Sequence, residues 1–238
     1  MKKKSKTNKS DIIILIIIFI MIGLASIFIW FEVRPEKDDS PKSTEYDEYY
    51  AKNRDKVNVE MTKNIEYKDY LLVDGDILVE IKNNNDYPMI GRVYVEFIDK
   101  DKKTVMIEEA YIRYIKGGGK SYECVRVSEE LHELYESYEV KVVAEYNDTS
   151  IKSYENSIKL VSFSEDAREL KFKNNSKKEI DSIEWGILYY DENNKVIDYE
   201  EVYSYDVKAH ETVTEKFNLP NVAYSKAEAV LLYGYRYR

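Results

Sequence analysis

Two stretches of this chain, ninety-odd residues apart, follow one pattern. "VEIKNNNDYPMIGRVYVEFID" from Val79 and "LKFKNNSKKEIDSIEWGILYYD" from Leu170 each lead from an apolar run, through Lys-Asn-Asn, into an alternating run that ends on Asp. Lys82-Asn83-Asn84 aligns with Lys173-Asn174-Asn175, Asp99 with Asp191, and Glu108-Glu109-x-Tyr111 with Glu200-Glu201-x-Tyr203, with one residue inserted after the first anchor. Such an ordered set of matches reads as a duplication, so the chain must fold as two copies of one unit of ordinary domain size.

Within each copy the period is two. Val93, Val95 and Phe97 alternate with Arg92, Tyr94 and Glu96; at the same place in the second copy, Ile183, Trp185, Ile187 and Tyr189 alternate with Glu184, Gly186 and Leu188. Alternation of this kind sends one set of side chains to a packed face and the other outward. "DKDKK" from Asp99 and "DENNK" from Asp191 read as hairpin loops, because Asp and Asn bond their own backbone and tolerate left-handed conformations. Runs at Val140–Tyr146 and Ala229–Tyr237 read as closing strands, and 23 Tyr residues suit pleated, half-buried surfaces. Short strands with polar turns predict an all-β chain of two tandem β-sandwiches. "SEELHELYES" predicts one short helix capped by Ser128, with Leu131, Leu134 and Tyr135 on its apolar side.

The segment "ILYYDENNKVID", behind an alternating strand and "KNNS", resembles the FxLYD domain, a small immunoglobulin-like β-sandwich of prokaryotic envelope and lipoprotein-like proteins. Tyr190 and Asp191 match its motif, while Ile187 stands for the Phe and Tyr189 for the Leu. In the first copy only Asp99 matches, with Val95, Phe97 and Ile98 as apolar substitutes. The resemblance covers most of residues 57–238 and implies an immunoglobulin-like fold and an envelope location. It brings no enzymatic activity.

The beginning of the chain constrains location. Lys2, Lys3, Lys4, Lys6 and Lys9 precede Ile12 to Phe31, a run without one charge, and about 20 apolar residues span a hydrocarbon core. Trp30 sits at the far end, where an amphipathic ring suits the interface, and the Lys cluster predicts a cytoplasmic start with the rest outside. A cleaved signal peptide would have a shorter apolar region and a small-residue site; here Ala25-Ser26 is followed by five more bulky apolar residues. The expected organisation is a basic tip at 1–11, a transmembrane helix at 12–31, a polar linker at 32–56, a first sandwich at 57–150 and a second at 151–238. The linker stretch "DDSPKSTEYDEYYAKNRDK" allows a short helix near Tyr49.

Residues 1–34 carry six basic residues against Asp11 and Glu32, which leaves roughly −13 on the remainder of a chain whose net charge is −9. That sign argues against nucleic acid as a partner. One Cys, Cys124, makes no internal disulfide; its register places it outward with Tyr122, while Val125 and Val127 point inward. His132 and His210 fall in different copies and read as solvated positions. "DGD" at Asp74 and "DKDKK" lack the continuation of a calcium loop, and "GGG" at Gly117 precedes a strand instead of opening a phosphate-binding helix. The adjacent Glu pairs point to opposite faces of a strand, as solvated edge charges do.

No catalytic residue, cofactor or metal is therefore expected. The reading is a non-catalytic single-pass envelope protein whose sandwich pair serves as a binding, scaffold or accessory module for a protein or envelope polymer. The alternative is a membrane-tethered sensory or regulatory partner of another integral membrane protein. Tyr233, Tyr235 and Tyr237, on one face of the last strand, form the candidate interaction surface, since exposed aromatics anchor interfaces.

Overall fold

The computed structural model describes residues 45–147 and 151–237. The expected tip, transmembrane segment 12–31 and most of the linker lie outside the described residues; among those described, no helix is long and apolar enough to cross a membrane.

The described chain is all-β apart from two helices and a 3₁₀ turn. Its order is α1 (Glu45–Lys63), β1 (Ile65–Leu71), β2 (Ile77–Asn83), β3 (Met89–Ile98), β4 (Thr104–Ile115), β5 (Lys120–Val125), α2 (Glu129–His132), β6 (Ser137–Tyr146), β7 (Ile151–Ser153), β8 (Ile158–Ser164), β9 (Glu169–Asn174), β10 (Ile180–Tyr190), β11 (Val196–Val207), β12 (Thr212–Lys216) and β13 (Lys226–Tyr237). The strands form antiparallel sheets ordered β1-β2-β5 and β4-β3-β6 in the first copy, and β8-β9-β12 and β11-β10-β13-β7 in the second. Each pair of sheets encloses its own core in a sandwich-like arrangement. Val79 and Ile81 face Val93, Val95 and Phe97 in the first; Leu170 and Phe172 face Ile183, Trp185 and Ile187 in the second.

The duplication is visible at the level of single bonds. Asn83 and Asn174 are both fully buried. The Asn83 Nδ2 donates to the carbonyls of Tyr87, Ile115 and Lys116 at 2.9, 3.1 and 3.1 Å, while its Oδ1 accepts from the Asn85 N–H. Asn174 repeats this with Lys178, Val207 and Lys208 at 2.8, 3.1 and 3.0 Å, and with the Ser176 N–H. In each copy one amide thus ties a turn to the far end of a long hairpin strand. The hairpin loops match too: Asp99 Oδ1 accepts from the N–H groups of Asp101 and Lys103, and Asp191 Oδ1 from those of Asn193 and Lys195. Lys102 and Asn194 take the left-handed conformation at the same step. Even the glycine turn is shared in shape, Gly118 (φ 68) being matched by His210 (φ 62).

Three expectations are corrected. The helix near Tyr49 is not a frayed piece of linker: α1 runs through the expected boundary at residue 56, kinked at Asn53, and Val57 and Met61 enter the first core. Thr62 Oγ1 accepts from the Ala144 N–H at 3.0 Å and Asn58 Oδ1 from the Tyr146 N–H at 3.2 Å, so α1 covers the edge of β6 that would otherwise offer unpaired donors. In the second copy β7 covers the equivalent edge of β13, pairing Ser153 with Tyr235. Second, α2 is capped by Ser128, whose Oγ accepts from the Leu131 N–H, and Leu131 is buried, but Leu134 is 60% exposed because the helix stops at His132. Third, β3 alternates strictly between buried and half-buried positions, whereas β10 is buried on both faces from Ser182 to Tyr189. Glu184 and Leu188, expected to face water, are 3% and 0% exposed.

Candidate functional site: a buried acidic seam

The burial of β10 on both faces has one cause: the outer face of the β11-β10-β13 sheet packs against the first copy. A third apolar cluster lies between the two, with Leu72, Leu78 and Tyr122 on one side and Leu188, Tyr199 and Leu232 on the other. Gly186 makes room, since a Cβ there would sit 2.7 Å from Cε2 of Tyr199. The Val73 N–H donates across the seam to the Ile197 carbonyl at 3.0 Å, and Lys116 meets Glu155 at 3.2 Å.

Charge is buried in this seam. Arg113 of β4 reaches Glu184 of β10 at 3.1 Å, and its guanidinium lies 5.7 and 5.9 Å from the ring centres of Tyr203 and Tyr233. Glu123 of β5 is 7% exposed, and its Oε1 has no hydrogen-bond partner among the described residues; nor does the hydroxyl of buried Tyr199. Glu201 completes the group and accepts from the Tyr203 hydroxyl at 2.6 Å. Burial pushes the Glu184 carboxyl up to about 7, with Glu201 adding to the rise and Tyr233 and Arg113 opposing it. Burial pushes Glu123 well above the usual carboxylate range, and the charges of Glu184 and Glu201 push it further. Two buried acids thus share one guanidinium, with Glu201 beside them.

The origin of this arrangement is a single exchange between the copies. In the first copy Arg92 pairs with Tyr111 and Tyr94 with Glu109 across β3 and β4; in the second, Glu184 pairs with Tyr203 and Gly186 with Glu201 across β10 and β11. Arg92 binds both oxygens of Glu109 at 2.9 Å and contacts the Tyr111 hydroxyl on an open surface. Glu184 stands where Arg92 stands, so the second copy carries an acid beside an acid, and the first copy supplies the missing cation through Arg113.

The sequence-derived candidates fall as follows. Tyr233 and Tyr235 are 1% and 7% exposed and belong to the seam, so they form no open aromatic stripe; Tyr237 ends β13 opposite Ile151. Cys124 faces outward from its own sheet, but toward the second copy, and burial pushes its thiol up. Asp74 and Asp76 spend their oxygens on turn and partner groups: Asp74 on the Asp76 N–H, Asp76 on the Val127 N–H and on Arg126. Of the Glu-Glu pairs, Glu109 is solvated as expected, and Glu201 is half-buried at the margin of the seam. Glu123, Glu184 and Arg113 were missed; the readable signal was Arg92 aligning with Glu184 while the neighbouring Glu and Tyr stayed fixed.

The outer face of the first copy's β4-β3-β6 sheet, equivalent to the docked face of the second, is uncovered among the described residues. It carries a hollow of about 470 Å³ lined by Tyr94, Glu96, Ile107, Glu139, Lys141 and Val143, with Ile107 and Tyr111 56% and 58% exposed.

No protein-family model matches the chain, and no characterised protein matches it in sequence. Among solved structures, a red sea bream transglutaminase aligns at 9% identity and a TM-score of 0.25, over 64% of this chain and 26% of that one. A chain of a chaperone–tip adhesin complex of CFA/I fimbriae biogenesis aligns at 9% identity and a TM-score of 0.18, over 70% of this chain and 98% of that one. The chain thus spans about a quarter of the transglutaminase, and neither likeness is close enough to carry an argument.

Proposed function

We propose that the chain is a non-catalytic, single-pass envelope protein, held by residues 12–31, with its N-terminus cytoplasmic and two immunoglobulin-like sandwiches of the FxLYD type outside. The pair acts as a binding, scaffold or accessory module for a protein or envelope polymer. The observation that carries this reading is the asymmetry of equivalent faces: the second copy's outer sheet is occupied by the first copy, while the first copy's outer sheet presents an open hollow with exposed Ile107 and Tyr111. Exposed aromatic and branched side chains over a shallow sheet surface suit a macromolecular contact more than an enclosed small molecule. The test is topological. With a tag after Arg238, protease added to intact cells should remove the tag while the chain stays in carbonate-washed membranes. A tag protected in intact cells, or a chain released by carbonate, would refute the placement.

The acidic seam favours a second reading, a membrane-tethered sensory or regulatory partner of another integral membrane protein, because an interface holding titratable acids is a two-state element. A membrane partner that co-purifies with the full chain and is lost when residues 12–31 are exchanged for an unrelated span supports that reading; retention after the exchange supports the binding module.

A further inference from the structure

We propose that the seam between the two copies is a proton-controlled latch, closed while Glu184 and Glu123 hold protons and loosened as they ionise. Around Glu184 and Glu123 are Glu201, Tyr203 and Tyr199 on β11, Tyr233 on β13 and Arg113 on β4; Cys124 of β5 lies by Tyr199, with Arg126 and Asp76 on its far side. Arg113 is the cation that reaches Glu184, while Arg126, beside Cys124 and Glu201, is paired with Asp76 at 2.8 Å. Arg113 neutralises one carboxylate; the second buried acid, once ionised, repels the first, and Glu123 has an oxygen with no donor to meet it. A buried charge without a partner is costly, so the closed seam binds protons that the open seam releases.

The sign follows. An acid whose value is raised in the closed state stabilises closure fully below its ordinary value and loses that contribution as pH rises through the raised one. For Glu184 the window runs from the ordinary carboxylate range near 4.5 to about 7, and Glu123 extends it upward. Each unit of that shift is a factor of ten in the closed-to-open ratio, so Glu184 alone should lower the ratio on the order of 10²-fold between pH 5 and pH 8, a floor to which Glu123 adds. The two cores keep the copies folded throughout, because neither contains these acids.

Cys124 is the chain's one thiol and packs in the seam, so it reports opening. The experiment follows modification of Cys124 in the full chain in detergent micelles by a neutral thiol reagent, each rate divided by that of the urea-unfolded chain at the same pH. The normalised rate should rise on the order of 10²-fold from pH 5 to pH 8, and the Glu123→Gln/Glu184→Gln chain, which mimics the protonated seam, should stay slow at both. Exchange of the Val73 amide, corrected for its intrinsic pH dependence, should lose protection in the same window. A flat normalised rate together with flat amide protection in the unsubstituted chain would overturn the latch. So would a doubly substituted chain that keeps the full pH rise.

Discussion

The duplicated asparagine clamp is the most exacting test of how this chain holds its fold. Asn174→Ala removes an Nδ2 that serves three carbonyls and an Oδ1 that serves the Ser176 N–H, all at a position with no access to water. Two N–H donors and one acceptor amount to three hydrogen bonds, each worth about 1 kcal/mol net, and the carbonyls left unserved add about 1–3 kcal/mol. The expected loss is about 4–6 kcal/mol. Asn174→Asp is the sharper probe, because it keeps the shape and the acceptor but turns a second oxygen toward the carbonyls of Lys178, Val207 and Lys208; it should cost at least as much as Ala. Trp185 packs in the same core, 5.7 Å from Phe172, and reports it by fluorescence once Trp30→Phe removes the other indole. With a urea dependence of about 1–3 kcal/mol per molar, the midpoint should drop by at least about 1 M. Asn83→Ala, with the same geometry in the first copy, should move the Trp185 transition much less. A drop of under about 0.3 M for Asn174→Ala, far below what this dependence allows, would show that the clamp is an ornament of the turn. An Asp variant firmer than the Ala variant would show that the three carbonyls are not its partners.

Met61→Ala should lower the stability of the first copy by about 2–4 kcal/mol, as a buried truncation does, and expose the β6 edge to amide exchange at Ala144 and Tyr146. Asp191, whose carboxyl is held below its ordinary value first by the Lys195 N–H, has the opposite pH sign from Glu184. Its stabilisation is present above the ordinary carboxylate value and fades as pH falls through the lowered one, so the acid limb of the Trp185 transition should flatten in Asp191→Asn. Glu184→Arg restores the residue of the first copy and sets two guanidinium groups face to face across the seam. It should speed Cys124 modification at pH 6 while leaving the Trp185 urea midpoint within the scatter of the unsubstituted chain, and Arg113→Glu in the same chain should restore protection.

Local chemistry was legible because it is written into few residues. Asp99 and Asp191 announce their loops, since a short carboxylate that can accept from two N–H groups has few other uses between alternating runs. Asn83 and Asn174 stood out as repeat anchors, although their reason, a buried amide tying a turn to a distant strand, needed coordinates. The α1 helix was hidden because, among its described side chains, Val57 and Met61 alone are buried in the core, too few to give an apolar period in a charged segment. The seam was hidden for a different reason. Alternation tells which side chains leave their own core, not whether they meet water afterwards, and Leu188 and Tyr233 leave one core only to enter another.

That distinction also explains how two copies of one fold came to behave differently. A sandwich with polar outer faces on both sheets is content alone, and the first copy's Arg92–Glu109–Tyr111 group shows the solvated form of this surface. At the docked face of the second copy, β10 carries small and apolar residues, Gly186 at the position of Tyr94 and Leu188 at that of Glu96, with Leu78, Tyr122 and Cys124 opposite. The corresponding outer positions of the second copy's β9 and β12 remain Glu169, Thr214 and Lys216, so that sheet is not built to receive a further copy in the same way. Apolar burial supplies the adhesion, on the order of 1.5–3 kcal/mol for each fully covered Leu. Apolar contact alone would fix neither register nor conditions. Placing Glu184 where Arg92 had been makes the second copy depend on Arg113 of the first, which sets the register, and on a proton, which makes closure conditional. The same substitution therefore specifies how the copies meet and weakens the meeting as the acids ionise.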